Sequence, residues 1–487
     1  MRALMWFRSD LRIHDNTALH HACESADEGV VAVFAVCPAQ WSDHGWGPAK
    51  VDFVLRNLRA LSGSLREANI PLRLIESPRF AGVPGRVLDV ARRHNCTVLF
   101  FNEEYEVNER RRDEQTVRLF EKAGLAVRVF PDQTILDVSR LRTGSGGWYT
   151  VFTPFKRKWL ATAMEDGPLP VRPRPRRQKP TGIEPDPVPV LLRGFDAPGC
   201  ARLWPEGEKE AQRRLRAFVS ERMDDYPRRR DLPAERGTSE LSPYLASGVL
   251  SARQCLAAAV EANAGRLDAG RKGATTWISE LIWREFYRHI LIGFPRVCMN
   301  RPFRPETERL AWRQDEAEFR AWCEGRTGVP IVDAGMRQLA RTGWMHNRVR
   351  MIAAMFLTKD LFLDWRWGER HFLRHLVDGD FASNNGGWQW SASTGTDAAP
   401  YFRIFNPFRQ SRRYDPDGEY IRRFVPELAD VPAGLLHDAG GIASLGSRYG
   451  GLRLDREASR ARVLSAFKAL SRPPSARSKR ARRNAPS

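Results

Sequence analysis

The first 130 residues alternate between short apolar runs and stretches with helical spacing. Apolar, β-branched and aromatic residues dominate the runs 30–37 (VVAVFAVC), 96–102 (CTVLFFN) and 125–132 (LAVRVFPD). Between the first two runs, residues 54–70 carry apolar side chains three or four positions apart, which predicts an amphipathic helix. Strands that alternate with helices are typical of a parallel sheet covered by helices. We therefore predict an α/β, Rossmann-like parallel-sheet domain over residues 1–130, without the GxGxxG loop of dinucleotide-binding proteins.

The composition changes in the middle of the chain. Residues 167–205 are rich in Pro and Arg and have no apolar period, which predicts a polyproline-like linker, and we assign 131–206 as a connector. From 207 to 455 the apolar spacing is helical, so we predict an all-α C-terminal domain. We assign 456–487 as a basic tail whose last residues, about 15 of them, are disordered.

Three stretches of the helical half mix Gly, Asn and Asp with aromatic residues, at 346–351, 378–385 and 387–407. Their composition predicts loops, and loops on a rigid scaffold often carry function. The segment NNGGWQW (384–390) places two tryptophans directly behind a Gly-Gly pair. It indicates a crowded place where backbone, ring and ligand meet.

The charge balance is strongly basic. Lys and Arg number 78 against 58 Asp and Glu, a net charge of +20, which favours a polyanionic partner such as nucleic acid. A basic soluble enzyme or a GC-biased genome would give the same balance. The 7 cysteines are scattered without a CxxC pair, which fits a reducing compartment and neither a disulfide frame nor a zinc site. No apolar run is long enough to span a membrane, and we predict a cytoplasmic, nucleoid-associated protein.

One predicted helix carries a candidate binding face. Glu280, Trp283, Arg284 and Tyr287 fall at i, i+3, i+4 and i+7, and Trp277 precedes them on the same face. Buried lone charges are costly, so this face suits a pocket that stacks a flat ring and hydrogen-bonds its edge. The alternative is a half-exposed amphipathic helix on which Glu280 and Arg284 pair with each other.

A hydroxyl-rich turn lies at 237–251 (GTSELSPYLASGVLS). Turns of this kind that lead into a helix can bind phosphate through hydroxyls and free amides. The alternative is an ordinary helix N-cap at Ser242 or Thr238.

Several stretches, in the same order as in a known family, resemble the photolyase/cryptochrome family, and within it the bacterial class I cyclobutane pyrimidine dimer photolyases. They are WFRSDLRIHDN, YEVNERRRD, GTSELSPYLASGVLS, ELIWREFYRHI, TGWMHNRVRM and DGDFASNNGGWQWSASTGTDAAPYFRIFNP. The resemblance runs from residue 3 to about 430. It implies an α/β antenna domain, a connector and a helical domain that binds FAD and DNA. The implied activity is light-driven repair of pyrimidine dimers by a monomeric carbon–carbon lyase, with no metal.

The resemblance implies a set of FAD contacts. Asn384 matches the residue that faces flavin N5, where an amide oxygen can accept a hydrogen bond. Arg350 and Asp378 match an ion pair beside the flavin ring. The full matching set is Tyr226, Thr238, Ser239, Glu240, Leu241, Ser242, Trp277, Asn347, Arg350, Asp378, Asp380 and Asn384.

The resemblance also implies a pocket for a dimer flipped out of the DNA helix, because a stacked lesion cannot reach the flavin. The matching residues are Glu280, Trp283, Asn347, Met351 and Trp390. Glu280 would stabilise charge on the pyrimidine edge. Positions matched to, or neighbouring, the DNA are Arg230, Arg284, Tyr287, Arg348 and Gln410.

Two further sets follow from the resemblance. Trp388, Trp365 and Trp312 match a chain that carries electrons from the surface to oxidised FAD. Asn108, Glu109 and Cys298 match an antenna site for methenyltetrahydrofolate, with 8-hydroxy-deazaflavin as the alternative. Met299 stands where the family often has Lys, which removes a cation that would pair with the folate carboxylates.

Two other activities within the family are alternatives. A cryptochrome-type photoreceptor would also bind FAD, but such proteins tend to have long C-terminal extensions, and Asn384 favours repair. A (6-4) photolyase uses a His pair in the lesion pocket, where this chain has Met345 and His346.

Overall fold

The computed structural model describes residues 1–196, 199–452 and 454–470. A five-stranded parallel sheet has the order β3-β2-β1-β4-β5, formed by β1 (Ala3–Phe7), β2 (Val30–Val36), β3 (Leu72–Glu76), β4 (Val98–Asn102) and β5 (Ala126–Phe130). Its helices are α1 (Thr17–Ser25), α2 (Pro38–Asp43), α3 (Pro48–Glu67), α4 (Val83–Arg93) and α5 (Val107–Lys122). The predicted α/β domain is confirmed. Strands β1 and β4 are buried along their whole length, as expected for sheet strands covered on both faces.

Among the described residues the other regular elements are almost all helices, which confirms the predicted all-α domain. The helices are α6 (Phe152–Glu165), α7 (Glu208–Glu221), α8 (Tyr226–Arg229), α9 (Ser242–Ala246), α10 (Ala252–Ala262), α11 (Lys272–Gly293), α12 (Glu316–Cys323), α13 (Pro330–Thr342), α14 (Asn347–Met355), α15 (Trp365–His375), α16 (Phe381–Ala392), α17 (Pro407–Tyr414), α18 (Glu419–Phe424), α19 (Ala433–Leu436), α20 (Ala439–Ala443) and α21 (Arg456–Leu470). A π-helical turn, Phe356–Asp360, follows α14. No helix in the described ranges is long and apolar enough to cross a membrane.

The chain divides into two compact units that do not follow the predicted boundaries. The first unit comprises Met1–Cys298, Arg337–Arg348 and Glu369–Asn385, so it holds the sheet, the connector and several helices. The second comprises Met299–Met336, Val349–Gly368 and the chain from Gly386 onward.

The predicted connector contains α6 and then a stretch, 168–189, without helix or strand. This stretch is tied to the α/β domain, because the Gln178 amide donates to the Ala68 carbonyl and the Asp186 amide to the Leu72 carbonyl, each at 2.8 Å. The second bond lies at the outer strand β3, whose exposed edge is thereby partly covered.

The predicted loops at 346–351 and 378–407 were wrong in part. The first lies largely in α14, and the second contains α16, with Gly386 and Gly387 inside the helix. Asp380 starts α16 by accepting a hydrogen bond from the Ser383 amide at 2.9 Å. Capping and burial of Trp388 outweigh the low helix propensity of two glycines, which amounts to about 1 kcal/mol each.

The predicted tail also needs correction. Residues 456–470 form α21, and its Val463 and Phe467 are buried against Leu310 and Phe362. These two side chains lie four positions apart, so they share one helix face. The predicted disordered end, 471–487, lies outside the described residues.

Candidate functional site

A charged pair lies on the exposed face of α11. The Glu280 carboxylate contacts the Arg230 guanidinium at 2.6 Å, and both side chains are half-buried. Burial disfavours the charged guanidinium, but the attraction of Glu280 outweighs it and raises the pKa of Arg230. The Arg230 guanidinium also lies 5.1 Å from the ring centre of Tyr226. Arg230 therefore holds the Glu280 carboxylate in place at the surface.

The alternative pairing of Glu280 with Arg284 is not what the structure shows. The Arg284 guanidinium donates to the carbonyl oxygens of Gln133 at 3.0 Å and Leu245 at 3.3 Å. Burial lowers the pKa of Arg284 to about 9. Arg284 is half-buried and these two bonds hold its guanidinium within the first unit, while its contact with DNA stays a prediction.

Trp283 offers one ring face for stacking. Phe152 lies parallel to it at 3.6 Å between ring centres, with 9° between planes, and Tyr287 lies at 5.8 Å. Trp283 remains half-buried. Phe152, at the start of α6, was missed by the sequence analysis, since nothing in its own segment links it to α11.

The other aromatic residues near this face of α11 are buried and pack against one another. Trp277 is 3% exposed and packs on Phe218 at 4.8 Å, and Phe218 meets Tyr226 edge-on at 5.5 Å. Trp277 and Tyr226 thus form one aromatic layer next to Arg230.

The hydroxyl-rich turn is not a side-chain N-cap of α9. Leu241 occupies the cap position of this short helix and makes no side-chain bond. The Ser242 hydroxyl accepts from Trp344 Nε1 at 3.2 Å, and the Thr238 carbonyl accepts from Arg222 at 3.2 Å. Glu240 has a left-handed backbone conformation, φ 55°. The turn is therefore held by neighbours outside α9.

A second charged pair joins α11 to the start of α16. Arg288 and Asp380 are 2.6 Å apart, and Arg288 together with Arg284 holds the pKa of the buried Asp380 below its ordinary value despite its desolvation. One turn later, Asn384 Nδ2 donates to the Glu369 carbonyl at 3.0 Å. This fixes the amide so that Asn384 Oδ1 is turned to the opposite side as an acceptor.

The other predicted residues are placed as follows. Arg348 pairs with Asp231 at 3.0 Å, Asp378 is buried, and Asn347 is exposed at the start of α14. Within the second unit, four predicted residues are half-buried on α14, α16 and α17, namely Arg350, Met351, Trp390 and Gln410.

The predicted tryptophan chain lies in the second unit. Trp388 and Trp365 are 2% and 1% exposed, whereas Trp312 is half-buried against Phe362 at 4.9 Å. Gly368 on α15 lies so close to the Trp388 ring that any Cβ at this position would overlap it. The exposed fraction of the side chain is therefore larger at Trp312 than at Trp388 and Trp365.

Two of the three predicted antenna residues, Asn108 and Glu109, contact His44, which the sequence analysis missed. Asn108 Nδ2 lies 3.0 Å from His44 Nε2, and Glu109 Oε1 lies 3.4 Å from His44 Nδ1. Cys298 is half-buried near the Val107 amide, and burial raises the pKa of its thiol to about 12.

A cleft that is open to solvent lies at the carboxyl edge of the sheet. Arg8 follows β1, Cys37 follows β2 and Glu104 comes shortly after β4, so the strand ends bring them together. Aromatic rings line it, including Trp41 and Trp46, which stack at 5.1 Å.

Polar atoms in this cleft have no hydrogen-bond partner among the described residues. They are Nε and Nη2 of Arg8, Oε2 of Glu109 and Oγ of Ser247, and all are buried. The Arg8 guanidinium packs over the rings of Trp6 and Phe101, at 4.5 and 4.6 Å from their centres. Buried polar groups are nearly always satisfied, so the oxygens of Glu109 and Ser247 suit a site for a polar ligand.

Comparison with known proteins covers both halves of the chain. The family model for DNA photolyase matches residues 3–176, and the model for the FAD binding domain of DNA photolyase matches residues 277–469. A deoxyribodipyrimidine photo-lyase of Salmonella typhimurium is 46% identical over 435 residues, which are 89% of this chain and 91% of that protein.

Solved photolyase structures superpose on this chain over nearly its whole length. A class III photolyase from Agrobacterium tumefaciens superposes with a TM-score of 0.85 at 34% identity, over 96% of this chain and 97% of that chain. An archaeal photolyase from Sulfolobus tokodaii, solved with two FAD molecules, has a TM-score of 0.78 at 30% identity, over 96% of this chain and 100% of that chain.

Proposed function

Because this chain belongs to the DNA photolyase family, we propose that it repairs cyclobutane pyrimidine dimers in DNA with light, as a deoxyribodipyrimidine photo-lyase. The match to the FAD-binding domain identifies FAD as the cofactor. The observation that carries the proposal is the face of α11, where Arg230 holds Glu280 one turn from the half-buried ring of Trp283.

The first unit has groups that fit a flavin. The Asn384 amide is oriented by Glu369, which leaves Oδ1 as an acceptor for the N–H of a reduced flavin. When bound, reduced FAD supplies the light-excited electron that opens the cyclobutane ring and takes it back, so repair is redox-neutral. The residues of this unit proposed to hold it are Tyr226, Thr238, Ser239, Glu240, Leu241, Ser242, Trp277, Asn347, Asp378, Asp380 and Asn384. Arg350, in the second unit, stays a flavin contact predicted from the resemblance.

On the DNA side, Trp283 has one face covered by Phe152, so its other face can stack on a flipped pyrimidine. Glu280 accepts hydrogen bonds from the pyrimidine edge, and Arg230 keeps the carboxylate in position. From the family resemblance of their own segments, we propose lesion contacts for Asn347, Met351 and Trp390 and DNA-backbone contacts for Arg348 and Gln410.

The tryptophan chain serves a separate step. The burial of Trp388 and Trp365 and the partial exposure of Trp312 support a path that brings electrons from solvent to an oxidised cofactor. This path restores the active redox state and is not part of each repair cycle.

The cleft of the first unit supports a second chromophore. Its unsatisfied polar atoms and stacked tryptophans suit a planar ring with polar edges, which favours 8-hydroxy-deazaflavin or a similar tricyclic ring over methenyltetrahydrofolate. The second FAD of the Sulfolobus tokodaii protein is a precedent for an additional flavin-like cofactor in a relative. Mass spectrometry of chromophores released from purified protein identifies the occupant, and a folate would contradict this choice.

The alternatives within the family have less support. Met345 and His346 are both buried, so this segment does not present a His pair to a lesion as a (6-4) photolyase would. The relatives described above are photolyases, which favours repair over signalling.

The test is a repair assay with purified, chemically reduced protein and an oligonucleotide that carries a single thymine dimer. We expect illumination with near-ultraviolet or blue light to restore thymine absorbance, and a dark sample to show no change. An oligonucleotide with a (6-4) lesion is the matched substrate control. Bound FAD that never restores the dimer under light would overturn the proposal and point to signalling.

A further inference from the structure

A row of cations lies on the surface of the first unit, in the connector that follows α6. Between residues 172 and 179 the sequence RPRPRRQK carries five basic side chains and no acidic one. Arg172 is half-buried, and the other four are exposed, namely Arg174, Arg176, Arg177 and Lys179. These five residues form the connector strip.

Hydrogen bonds to the α/β domain fix the backbone of the connector strip near both of its ends. The Arg172 amide donates to Asp15 Oδ1 at 2.8 Å, and the Asp15 amide donates to the Arg172 carbonyl at 2.9 Å. Near the other end, the Gln178 amide donates to the Ala68 carbonyl and the Gln178 carbonyl accepts from Asn69 Nδ2, each at 2.8 Å. The backbone is therefore ordered before any partner binds, which reduces the entropy that binding costs.

A close backbone contact also determines the path of the strip at Lys179. Gly29, just before β2, has φ 91°, and a Cβ at this position would lie 2.7 Å from the Lys179 carbonyl oxygen and 2.9 Å from Thr181 Cγ2. Both the conformation and the contact favour glycine, so the connector lies directly on the α/β domain here. The strip thus presents its cations from a fixed surface.

The charges of the strip are largely uncompensated. Within the described part of the chain, its one ion pair joins Arg176 to Glu24 at 3.9 Å, and both side chains are exposed. Such an exposed pair contributes little. The pKa of the neighbouring His21 is lowered first by burial and then by nearby positive charges, of which Arg172 has the largest effect. The strip therefore gives this part of the first unit a positive potential.

We propose that the connector strip binds the phosphate backbone of duplex DNA outside the lesion pocket. The inference rests on the proposed function, because it takes the DNA substrate as the polyanion. At about 3.1 Å per residue, the rise of polyproline II, residues 172–179 span up to about 22 Å, or about six base pairs. A linear row of cations is complementary to the regularly spaced phosphates of a DNA strand. Phosphate contacts carry no sequence information, so this contact strengthens binding to damaged and undamaged DNA alike.

The experiment measures binding of the holoprotein to a long undamaged duplex, about 60 base pairs, over a range of salt concentrations. The strip variant combines Arg174→Gln, Arg176→Gln, Arg177→Gln and Lys179→Gln. Each phosphate contact contributes about 0.9 to the slope of log affinity against log salt, so we expect the slope to become shallower by about 2–4. Affinity at low salt should fall roughly tenfold or more.

A control variant removes the same charge from exposed positions of α4 and α5. It combines Arg86→Gln, Arg92→Gln, Arg118→Gln and Lys122→Gln, and we expect it to keep most of the wild-type slope. A half variant, Arg174→Gln with Arg177→Gln, should lose about half of the slope change. Flavin content and melting temperature should stay unchanged in all three variants, because the substituted side chains are exposed.

Equal slopes in the strip and control variants would overturn the proposal and leave the strip as a solvated surface. A strip variant that loses binding to vesicles of phosphatidylserine and phosphatidylcholine, but keeps its affinity for the duplex, would also overturn it. Repair of a short single strand that carries one thymine dimer tests the proposed function separately, because such a strand is filled by the lesion pocket alone. We expect the strip variant to repair it at the wild-type rate. A wild-type protein that fails this assay would overturn repair, whatever the slopes are.

Discussion

The face of α11 in the first unit and the tryptophans of the second unit handle charge in opposite ways. On α11, Glu280 and Arg288 each have an ionic partner at 2.6 Å, so fixed charges are kept and compensated. Trp388 and Trp322 contact each other ring to ring, and Trp322 Nε1 donates to a neutral carbonyl, that of Ala353. Substrate recognition needs fixed charge, whereas electron transfer needs closely packed rings in a dry environment.

The largest effect is expected for a substitution that removes electron transfer through the tryptophans of the second unit and leaves the face of α11 unchanged. Trp388→Phe keeps an aromatic ring of smaller size but removes the oxidisable indole. We expect photoreduction of oxidised FAD to fall to background, while the chemically reduced variant still repairs dimers. Equal losses in both assays would show that the two regions do not act separately.

Glu280→Ala disrupts the charged face of α11 in the first unit. This change removes the carboxylate and leaves Arg230 without its partner, and we expect the repair quantum yield to fall roughly tenfold, less than the loss seen for a fully enclosed stabilising group, because Glu280 is half-exposed. Photoreduction of FAD should be unaffected. Glu280→Gln, which retains the shape, is the control and should lose less; an unchanged yield in Glu280→Ala would remove Glu280 from the mechanism.

Two glycines of the tryptophan region provide a matched pair. Gly368→Ala places a methyl group against the Trp388 ring, and we expect it to destabilise the protein by about 1–3 kcal/mol and to slow photoreduction. Gly387→Ala, in the middle of α16, meets open space, and we expect it to stabilise by about 0.5–1 kcal/mol. Denaturant unfolding of both variants measures the difference, and equal effects would contradict the tight fit at Gly368.

The last effect is a pH dependence of stability that depends on a buried lysine in the second unit. Burial lowers the pKa of Lys359 from 10.5 to about 7. Its Nζ donates a hydrogen bond to Ser393 Oγ at 2.8 Å. Between these pH values the unfolded chain holds a proton that the native protein lacks, so this residue makes stability rise with pH by about 1.4 kcal/mol per unit. Lys359→Met should lose this slope. The exposed Lys209→Met is the control, and it should follow the wild-type slope.

The sequence predicted the elements whose signal is local. The apolar runs that became β2, β4 and β5 and the face of α11 are readable because strand and helix periods depend on neighbouring residues. Val463 and Phe467 show the same period inside the segment assigned as a basic tail, and they form the buried face of α21.

What the sequence by itself determined is the fold class, the family and the residue types available for chemistry. The tertiary structure alone decided which distant side chains meet. It placed Phe152 on Trp283, His44 between Asn108 and Glu109, and Trp322 beside Trp388. It also turned Arg284 away from Glu280 toward two carbonyls, although their spacing on one helix allows them to pair. The physical reason is that such contacts depend on how elements far apart in the chain pack, and no local propensity encodes that packing.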